Sequence, residues 1–304
     1  MINYLKKAIF IMLIAVLMIF LSTISSEANS KIAKPTDLKT SISGEKDIKV
    51  SWSKVENASK YTIYSSTTKK GKYKKIGTTK TTSFKIKDLT RGKTYYFKIT
   101  ANSGKSSSKK SNYTKATVPT KKKALKEIRK ALKDKTWIKE NINDKTDGLN
   151  YEEGQNYSHK VYFEKINNKE LVIVRDLCED AFGYQIFVVG YYNGKVTSKK
   201  MFDYGAHPYN SGVSVDVKNG ILSYGYLHMG YETAIFYKAS PVKFSERNIF
   251  FNNVGSGELP VTYELNGKKI SESKYNNAIK KYNKYCFKNI NKKLSDKNID
   301  KYIK

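Results

Sequence analysis

The sequence contains few cysteines and few arginines, and each of these shortages argues against a class of protein. Two cysteines, Cys178 and Cys286, are too few for a disulfide scaffold or a structural zinc site, which needs about four Cys or His ligands in close pairs. The arginines are Arg91, Arg129, Arg175 and Arg247. Because base-edge recognition depends on the guanidinium plane, we expect no specific nucleic-acid partner. No Walker loop, dinucleotide-binding glycine motif or serine-elbow motif occurs, so neither a cofactor nor a metal is predicted.

Lysine is what the sequence has in excess. The 304 residues of the chain include 57 Lys and Arg against 27 Asp and Glu, which gives a formal net charge of +30. Lysine is a hydrated point charge that suits diffuse attraction to polyanions. The length allows about two domains that each bury a core, and a hydrophobic content of 39% argues against disorder throughout.

Residues 1–28 have the pattern of a secretory signal peptide. Lys6 and Lys7 precede an apolar run from Ala8 to Leu21, and small polar residues lead to Ala28, after which we expect cleavage. The alternative is a retained membrane anchor, although this run of about fourteen residues is shorter than the ~20 that span a bilayer. The pattern predicts a secreted, extracellular protein that meets the membrane only through this segment, before cleavage.

Charge divides the predicted mature chain into segments. Residues 33–119 contain 21 basic and 5 acidic residues, residues 120–143 contain 9 and 3, and residues 271–304 contain 10 and 3. Residues 144–270 are nearly neutral, with 14 basic and 15 acidic residues. This asymmetry is typical of a protein in which one part meets a polyanion and another part does something else. Solvated lysine faces without a partner are the alternative.

Residues 33–119 show the clearest strand pattern. Short alternating runs between turn residues predict an all-β sandwich, with runs at Ile48–Trp52, Tyr61–Tyr64, Tyr73–Ile76, Ser83–Ile86 and Tyr95–Ala101. Pro35 opens the first strand and Trp52 lies on the second. The run from Leu89 to Ala101 contains a leucine, a turn glycine, a corner tyrosine and an alternating apolar close. In these features the segment resembles the fibronectin type III family.

The fibronectin type III resemblance implies a spacer or a contact module for protein or polysaccharide, without catalysis. Within that fold, alternation places Tyr95, Phe97 and Ile99 in the core with Trp52 and Leu89. The loop of residues 102–110 is rich in serine and lysine, so binding by this loop would be electrostatic.

After a basic linker at residues 120–123, the pattern of residues 124–304 predicts an α+β domain. Apolar residues from Ala124 to Ile142 recur at helical spacing. Strands follow from 159 to 251 as an antiparallel meander with hairpin turns at Asn193-Gly194 and Asn219-Gly220. Spacings of three and four residues predict terminal helices that include Tyr275, Ala278, Ile279, Tyr282, Cys286, Ile290, Leu294, Ile299 and Ile303.

The predicted fold class is thus multidomain: a fibronectin type III sandwich followed by an α+β domain, which is an antiparallel sheet with N- and C-terminal helices. The second domain resembles uncharacterised modules of secreted Gram-positive proteins. That resemblance implies a bacterial cell-surface setting and no particular ligand.

Candidate catalytic chemistry in residues 124–304 rests on Cys178, His207, His228 and Asp216. Thiol, imidazole and carboxylate in this set would suit an enzyme in which a base-activated thiolate attacks an amide. Acidic residues next to Cys178 disfavour the thiolate, which weakens this hypothesis. Histidines satisfied by loop backbone are the alternative, and a disulfide between Cys178 and Cys286 stays open.

Tyrosines are dense between residues 184 and 237. The candidate ligand-binding residues there are Tyr209, Tyr224, Tyr226, His207 and His228. Because Tyr224, Tyr226 and His228 alternate, we expect them on one face of a strand. Exposed tyrosines stack on sugar rings with a polar handle at small entropy cost. An ordinary tyrosine-rich sheet is the alternative.

These features predict a secreted or surface-associated, non-catalytic binding protein of the adhesion type. Basic surfaces would contact anionic cell-wall polymer or polysaccharide by attraction that salt screens. Residues 124–304 would bind a ligand that the sequence does not identify, and a host or surface protein is a further expected partner class. The alternative function is a secreted hydrolase directed at cell wall or protein, with residues 124–304 as its catalytic unit.

Overall fold

The computed structural model describes the backbone of residues 32–143, 159–178, 183–204, 212–228, 231–239, 247–253, 261–282 and 284–304, together with residues 10, 12 and 14. The predicted signal peptide therefore lies almost wholly outside the described residues. Among the residues that are described, no helix is long and apolar enough to cross a membrane.

The N-terminal part is a β-sandwich of two sheets. Its strands are β1 (Lys39–Ile42), β2 (Ile48–Ser51), β3 (Lys60–Ser66), β4 (Lys74–Thr79), β5 (Ser83–Ile86), β6 (Thr94–Ser103), β7 (Ser106–Ser107) and β8 (Thr114–Thr117). One sheet has the order β1-β2-β5, and the other has the order β4-β3-β6-β7 with β8 paired to β6. These strands confirm the sandwich that the alternating pattern predicts.

Aromatic and branched side chains fill the sandwich core. The predicted core residues Trp52, Phe97 and Ile99 are buried, whereas Leu89 and Tyr95 are half-buried. The ring of Trp52 meets that of Tyr61 edge-on, with centroids 5.3 Å apart. The strand faces that point away from these residues are therefore the surfaces of the sandwich.

Helices and further antiparallel strands follow. The helical segments are α1 (Lys121–Lys133), α2 (Lys135–Ile138), a π-helical turn (Lys139–Asn143), α3 (Glu272–Lys280) and α4 (Asp296–Tyr302). The strands are β9 (His159–Lys165), β10 (Leu171–Cys178), β11 (Gly183–Tyr192), β12 (Lys195–Tyr204), β13 (Gly212–Asp216), β14 (Ile221–His228), β15 (Tyr231–Lys238), β16 (Arg247–Asn253), β17 (Tyr263–Leu265), β18 (Lys268–Ile270), β19 (Lys288–Asn289) and β20 (Lys292–Lys293).

These strands form two sheets rather than the one meander that the sequence predicts. The first has the order β12-β11-β10-β9-β20, and the second has the order β18-β17-β16-β15-β14-β13-β19. The central strands of the first sheet are buried on both faces, since β10 and β11 are apolar without interruption over Val172–Val174 and Ile186–Val189.

Three apolar clusters define the layers of this part of the chain. Residues of α1, α2 and α4 pack with Phe163, Val174 and Phe187 on one face of the first sheet. The opposite face of that sheet packs against the second sheet, and the outer face of the second sheet packs against α3 through Phe250 and Tyr275. The order is therefore helices, sheet, sheet, helix.

The chain divides into two compact units. One contains residues 1–40, 50–84 and 94–115, and the other contains residues 41–49, 85–93 and 116–304. Arg91 belongs to the second unit, where its Nη2 lies 3.2 Å from Glu45 Oε2 and 2.9 Å from Glu170 Oε2. In the same unit the backbone N–H of Gly44 donates to Asn193 Oδ1 at 2.6 Å.

The helical spacing of apolar residues and the Asn193-Gly194 pair correctly predict helix α1 and a hairpin turn. Both turn residues have positive φ, 52° and 81°, as the turn requires. The predicted helix through Ile290 and Leu294 is wrong, because short strands pair there with β13 and β9 instead. Helical spacing is a local signal, and it does not report pairing with strands more than seventy residues away.

Candidate functional site

The outer face of the five-stranded sheet of the sandwich carries tyrosines between lysines. In β3 and β6, Ile63 and Phe97 point into the core, so their neighbours Tyr64, Tyr96 and Lys98 lie on the opposite face. Tyr64 pairs in register with Lys98, and Ser66 pairs with Tyr96. The pleat of two adjacent strands thus brings tyrosine and lysine side by side.

Loop residues complete this surface with lysine ammonium groups above tyrosine rings. The Nζ atoms of Lys98, Lys110 and Lys69 lie 4.6, 4.4 and 5.3 Å from the ring centroids of Tyr73, Tyr64 and Tyr113, respectively. The rings of Tyr96 and Tyr113 have centroids 5.6 Å apart. We call these seven residues the tyrosine–lysine face: Tyr64, Lys69, Tyr73, Tyr96, Lys98, Lys110 and Tyr113.

Cation–π contact holds the lysines of this face close to its rings. Such contacts stabilise the position of each ammonium group above its ring by about 0.5–1 kcal/mol at exposed sites, where the ammonium group stays hydrated. Burial raises the pKa of Tyr73, and the neighbouring Tyr113 and Tyr96 raise it further. The Tyr73 hydroxyl therefore stays protonated, and it donates a hydrogen bond to the backbone oxygen of Lys69 at 3.1 Å.

This arrangement combines two kinds of recognition on one surface. Tyr113 is 38% exposed and Tyr64, Tyr73 and Tyr96 are half-buried, so ring surface is open to solvent. Tyrosine rings stack on the faces of sugars, and ammonium groups pair with carboxylate or phosphate. A polymer that carries sugar rings and negative charges satisfies both groups at once.

The structure describes some of the residues that the sequence singles out. His207 and Tyr209 lie outside the described residues. Cys178 is the last residue of β10, and its register partner on β9 is His159. Tyr224, Tyr226 and His228 belong to β14.

Tyr224 lies in the apolar cluster between the two stacked sheets. Its side chain is 8% exposed and packs in a cluster that includes Val213, Val215 and Leu222. This environment favours packing over contact with a ligand, because a buried ring offers no face to a sugar. A ligand-binding role for the tyrosines and histidines of this region stays a prediction.

Asp216 is engaged in holding the end of β13. Its carboxylate accepts the backbone N–H groups of Asn219 and Cys286, each at 2.8 Å, and the side chain is buried. Burial raises the pKa of Asp216, but its hydrogen bonds from the backbone and from the Asn219 amide together lower that pKa below its usual value. The geometry assigns this carboxylate a structural task. Cys286 itself is a free, exposed cysteine.

The substitution Asp216→Asn is expected to lower the free energy of unfolding by about 1.5–3 kcal/mol at pH 7, because it weakens hydrogen bonds to a charged acceptor. The folded-state pKa is depressed, so this contribution is present above the unfolded pKa of about 3.9 and is lost as pH falls through the folded pKa. Urea denaturation of both proteins at pH 7 and at lower pH measures the difference.

Asp88→Asn is the matched control, because the Asp88 side chain is 80% exposed. We expect this control to change the free energy of unfolding by less than about 0.5 kcal/mol. A difference between wild type and Asp216→Asn that stays constant down to pH 2 would contradict the assignment of the lowered pKa.

A histidine–carboxylate pair lies where the sequence analysis did not place one. His159 Nδ1 lies 2.9 Å from Oδ2 of Asp176, whose side chain is 1% exposed. Gln185 is the register partner of Asp176 on β11, and both of its buried side-chain polar atoms lack a hydrogen-bond partner in the described part of the chain. Among the described residues, His159 and Asp176 are therefore the candidates for acid–base chemistry next to Cys178.

Sequence reasoning missed the tyrosine–lysine face. Alternation of Tyr64 with Ile63, and of Tyr96 and Lys98 with Phe97, is a signal for the strand part of the face. No local signal reports that Lys69, Tyr73, Lys110 and Tyr113 fold over those strands. Within the described residues, no group of three or more His, Cys, Asp or Glu side chains is arranged to hold a metal ion.

Comparison with known proteins assigns the sandwich and leaves the rest of the chain unassigned. The Fibronectin type III domain family matches residues 33–117. A structure described as FN3tt mut is 20% identical, covers 29% of this chain and 98% of its own, and has a TM-score of 0.27. The fn3 domain of human collagen alpha-1(XX) chain is 16% identical, covers 32% of this chain and 93% of its own, and has a TM-score of 0.26. Structural similarity at this level does not indicate a function. No curated protein matches the sequence.

Proposed function

With a fibronectin type III domain at residues 33–117 as its N-terminal module, we propose that this chain is a secreted or surface-associated binding protein that holds anionic cell-wall polymer. The tyrosine–lysine face is the observation that carries the proposal. Its rings stack on sugar units of the polymer, and its lysines pair with the phosphate or carboxylate groups between them.

Charge outside the face supports the same partner. Residues 33–119 have a net charge of +16, from 21 basic and 5 acidic residues, and the exposed side of α1 carries further lysines. A field of this sign concentrates a polyanion near the surface and speeds its association. The tyrosines then distinguish a sugar-bearing polymer from other polyanions, because lysine alone has little geometric selectivity.

The remainder of the proposal concerns residues 124–304. We propose that they form one α+β domain that displays a second binding surface for a ligand of the same extracellular setting. The signal-peptide pattern of residues 1–28 supports export, since it is the feature that would bring the chain to a cell wall.

Sedimentation with purified cell walls tests the proposed partner. Residues 29–304 are mixed with walls that retain their anionic polymer and with walls stripped of it, over a salt series from about 0.05 to 1 M. We expect binding to intact walls at low salt, loss of binding as salt shortens the Debye length, and weak binding to stripped walls. Equal binding to both wall preparations, unaffected by salt, would show that anionic polymer is not the partner.

A wall- or protein-directed hydrolase is the second candidate function, and the pair of His159 and Asp176 favours it. A buried carboxylate that holds the imidazole Nδ1 orients the ring for acid–base work. Soluble fragments released in the same sedimentation tubes measure this activity. A hydrolase would lose fragment release on Cys178→Ala or His159→Ala and still bind walls, whereas a simple binding protein releases no fragments at all.

A further inference from the structure

A groove lies between helix α1, helix α2 and the hairpin that joins β11 to β12, all in the second unit. Its volume is about 500 Å³, within the range of roughly 300–1,000 Å³ that is usual for small-ligand sites. The described residues that line the groove include none of the tyrosine–lysine face and none of the candidate site residues that the sequence predicts.

The floor of the groove is apolar and aromatic. Trp137 packs half-buried against the core cluster below α1, next to Ala131 and Val196. Tyr191 is 6% exposed, and its hydroxyl donates to the backbone oxygen of Gly194 at 2.8 Å, which fixes its ring in the hairpin. The floor therefore presents the half-buried indole of Trp137, with the buried and fixed ring of Tyr191 as support.

Helix α2 holds the indole of Trp137 in place. Asp134 Oδ1 accepts the backbone N–H groups of Thr136 and Trp137 at 2.9 and 3.1 Å, and so caps the start of α2. The side-chain amide of Asn141 donates to the backbone oxygen of Trp137 at 3.0 Å. These bonds order the backbone that carries the ring before any ligand arrives, which lowers the entropy cost of binding.

The rim of the groove carries charges of both signs. Lys123, Lys130 and Lys195 supply ammonium donors, and Glu127 and Asp134 supply carboxylate acceptors. Burial raises the pKa of Tyr191, and the nearby Glu127 raises it further, so a negative charge already borders the floor. The rim thus offers donors and acceptors within one small site.

We propose that this groove binds a pyranose ring of a neutral glycan. The ring face stacks on the Trp137 indole, its hydroxyl groups donate to the Glu127 carboxylate, and they accept hydrogen bonds from Lys130 and Lys195. A sugar hydroxyl is both a hydrogen-bond donor and an acceptor, so it can pair with the carboxylates and with the ammonium groups of the rim. The apolar face of the sugar ring stacks on the aromatic floor.

The carboxylates of the rim weaken the attraction of a polyanion to this groove, because they offset two of its three lysine charges. A chain of phosphates or carboxylates would meet Glu127 and Asp134 as like charges, whereas a neutral ring meets no repulsion. Binding in the groove should therefore depend little on salt, unlike binding by the tyrosine–lysine face. This inference stands on different residues from the proposed function, so either can fail without the other.

Tryptophan fluorescence of residues 29–304 tests the groove with soluble trisaccharides. The chain has two tryptophans, and Trp52 is buried in the sandwich, so a change on titration reports Trp137. The probes are the β-1,4-linked trimers of glucose and of N-acetylglucosamine, with the trimer of galacturonate as the anionic comparison. We expect saturable binding of at least one neutral trimer, with an affinity that changes less than about twofold between low and high salt.

Variants locate the binding without relying on Trp137 alone. Glu127→Ala with Lys195→Ala changes two rim residues whose loss leaves the core intact, and it should weaken binding about tenfold. Glu140→Ala with Lys139→Ala removes the same two charges from exposed positions that do not line the groove and should leave affinity unchanged. Trp137→Ala, followed by calorimetry, should abolish binding.

Three outcomes would overturn the assignment. One is the absence of saturable binding by either neutral trimer, and another is equal affinity of the rim variant and its control. The third is binding of the galacturonate trimer alone in a salt-dependent manner, which would make the groove part of a polyanion site.

Discussion

Replacing Lys69, Lys98 and Lys110 by glutamine is expected to weaken binding to intact cell walls by about ten- to a hundredfold at an ionic strength of about 0.15 M. Each lysine near an anionic surface contributes roughly 0.5–1 kcal/mol, so three contribute about 1.5–3 kcal/mol. Glutamine keeps most of the aliphatic stem, and the free energy of unfolding should change little. Sedimentation with walls, combined with urea denaturation of the same proteins, measures both quantities.

The control for this variant removes the same charge from the other side of the sandwich. Lys39 in β1, Lys49 in β2 and Lys87 after β5 are exposed, and their replacement by glutamine also lowers the net charge by three. We expect less than about a threefold loss for this control, because the diffuse field falls only slightly. Equal losses for both variants would mean that net charge, and not the tyrosine–lysine face, determines binding.

Phe250→Ala is expected to lower the free energy of unfolding by about 3–5 kcal/mol, which is the largest single-residue effect on stability that we predict. Phe250 is fully buried in β16. Its ring meets those of Phe236, Tyr275 and Tyr282 edge-on, with centroids 5.7, 5.6 and 5.7 Å away. Truncation removes all three contacts and leaves a cavity between the second sheet and α3.

Urea denaturation followed by near-UV circular dichroism measures this loss, because the signal comes from ordered aromatic rings. Ile76→Ala is the control, since Ile76 is 38% exposed on the sandwich and should change the free energy of unfolding by less than about 0.5 kcal/mol. A loss below about 1 kcal/mol for Phe250→Ala would show that these rings do not form a packed layer.

The sandwich is the part of the fold that sequence reasoning predicted well. Alternation of apolar and polar residues is a local property of each strand, so Ile48, Ile63 and Phe97 identify the buried face before any pairing is known. The turn glycine and corner tyrosine of the run from Leu89 to Ala101 then identify the family, which the match over residues 33–117 confirms.

The second part of the chain was predicted only in outline. Antiparallel strands with helices at both ends were correct, but the division into two stacked sheets was not foreseen. The unbroken apolar runs of β10 and β11 were the available signal, because a strand that is apolar on both sides is covered on both faces. The short strands after Cys286 depend on pairing with distant β9 and β13, which periodicity does not reveal.

The candidate sites show the same limit. A strand pattern predicts that Tyr64 and Lys98 face outward, yet the positions of Lys69 and Tyr113 depend on how loops fold over the sheet. His159 and Asp176 belong to different strands, and only the register of β9 with β10 brings them together. Sites built from neighbouring strands and loops are thus invisible to spacing along one segment.

The two compact units are not joined by a single linker. The chain passes between them five times, after residues 40, 49, 84, 93 and 115. A cut near residue 119 falls within the second unit, after all five passages, and leaves residues 41–49 and 85–93 of that unit on the N-terminal fragment. Residues 41–49 and 85–93 also stay tied to the rest of their unit by Arg91, which holds Glu170. After one such cut we expect the two fragments to stay associated, because segments of both fragments belong to the second unit.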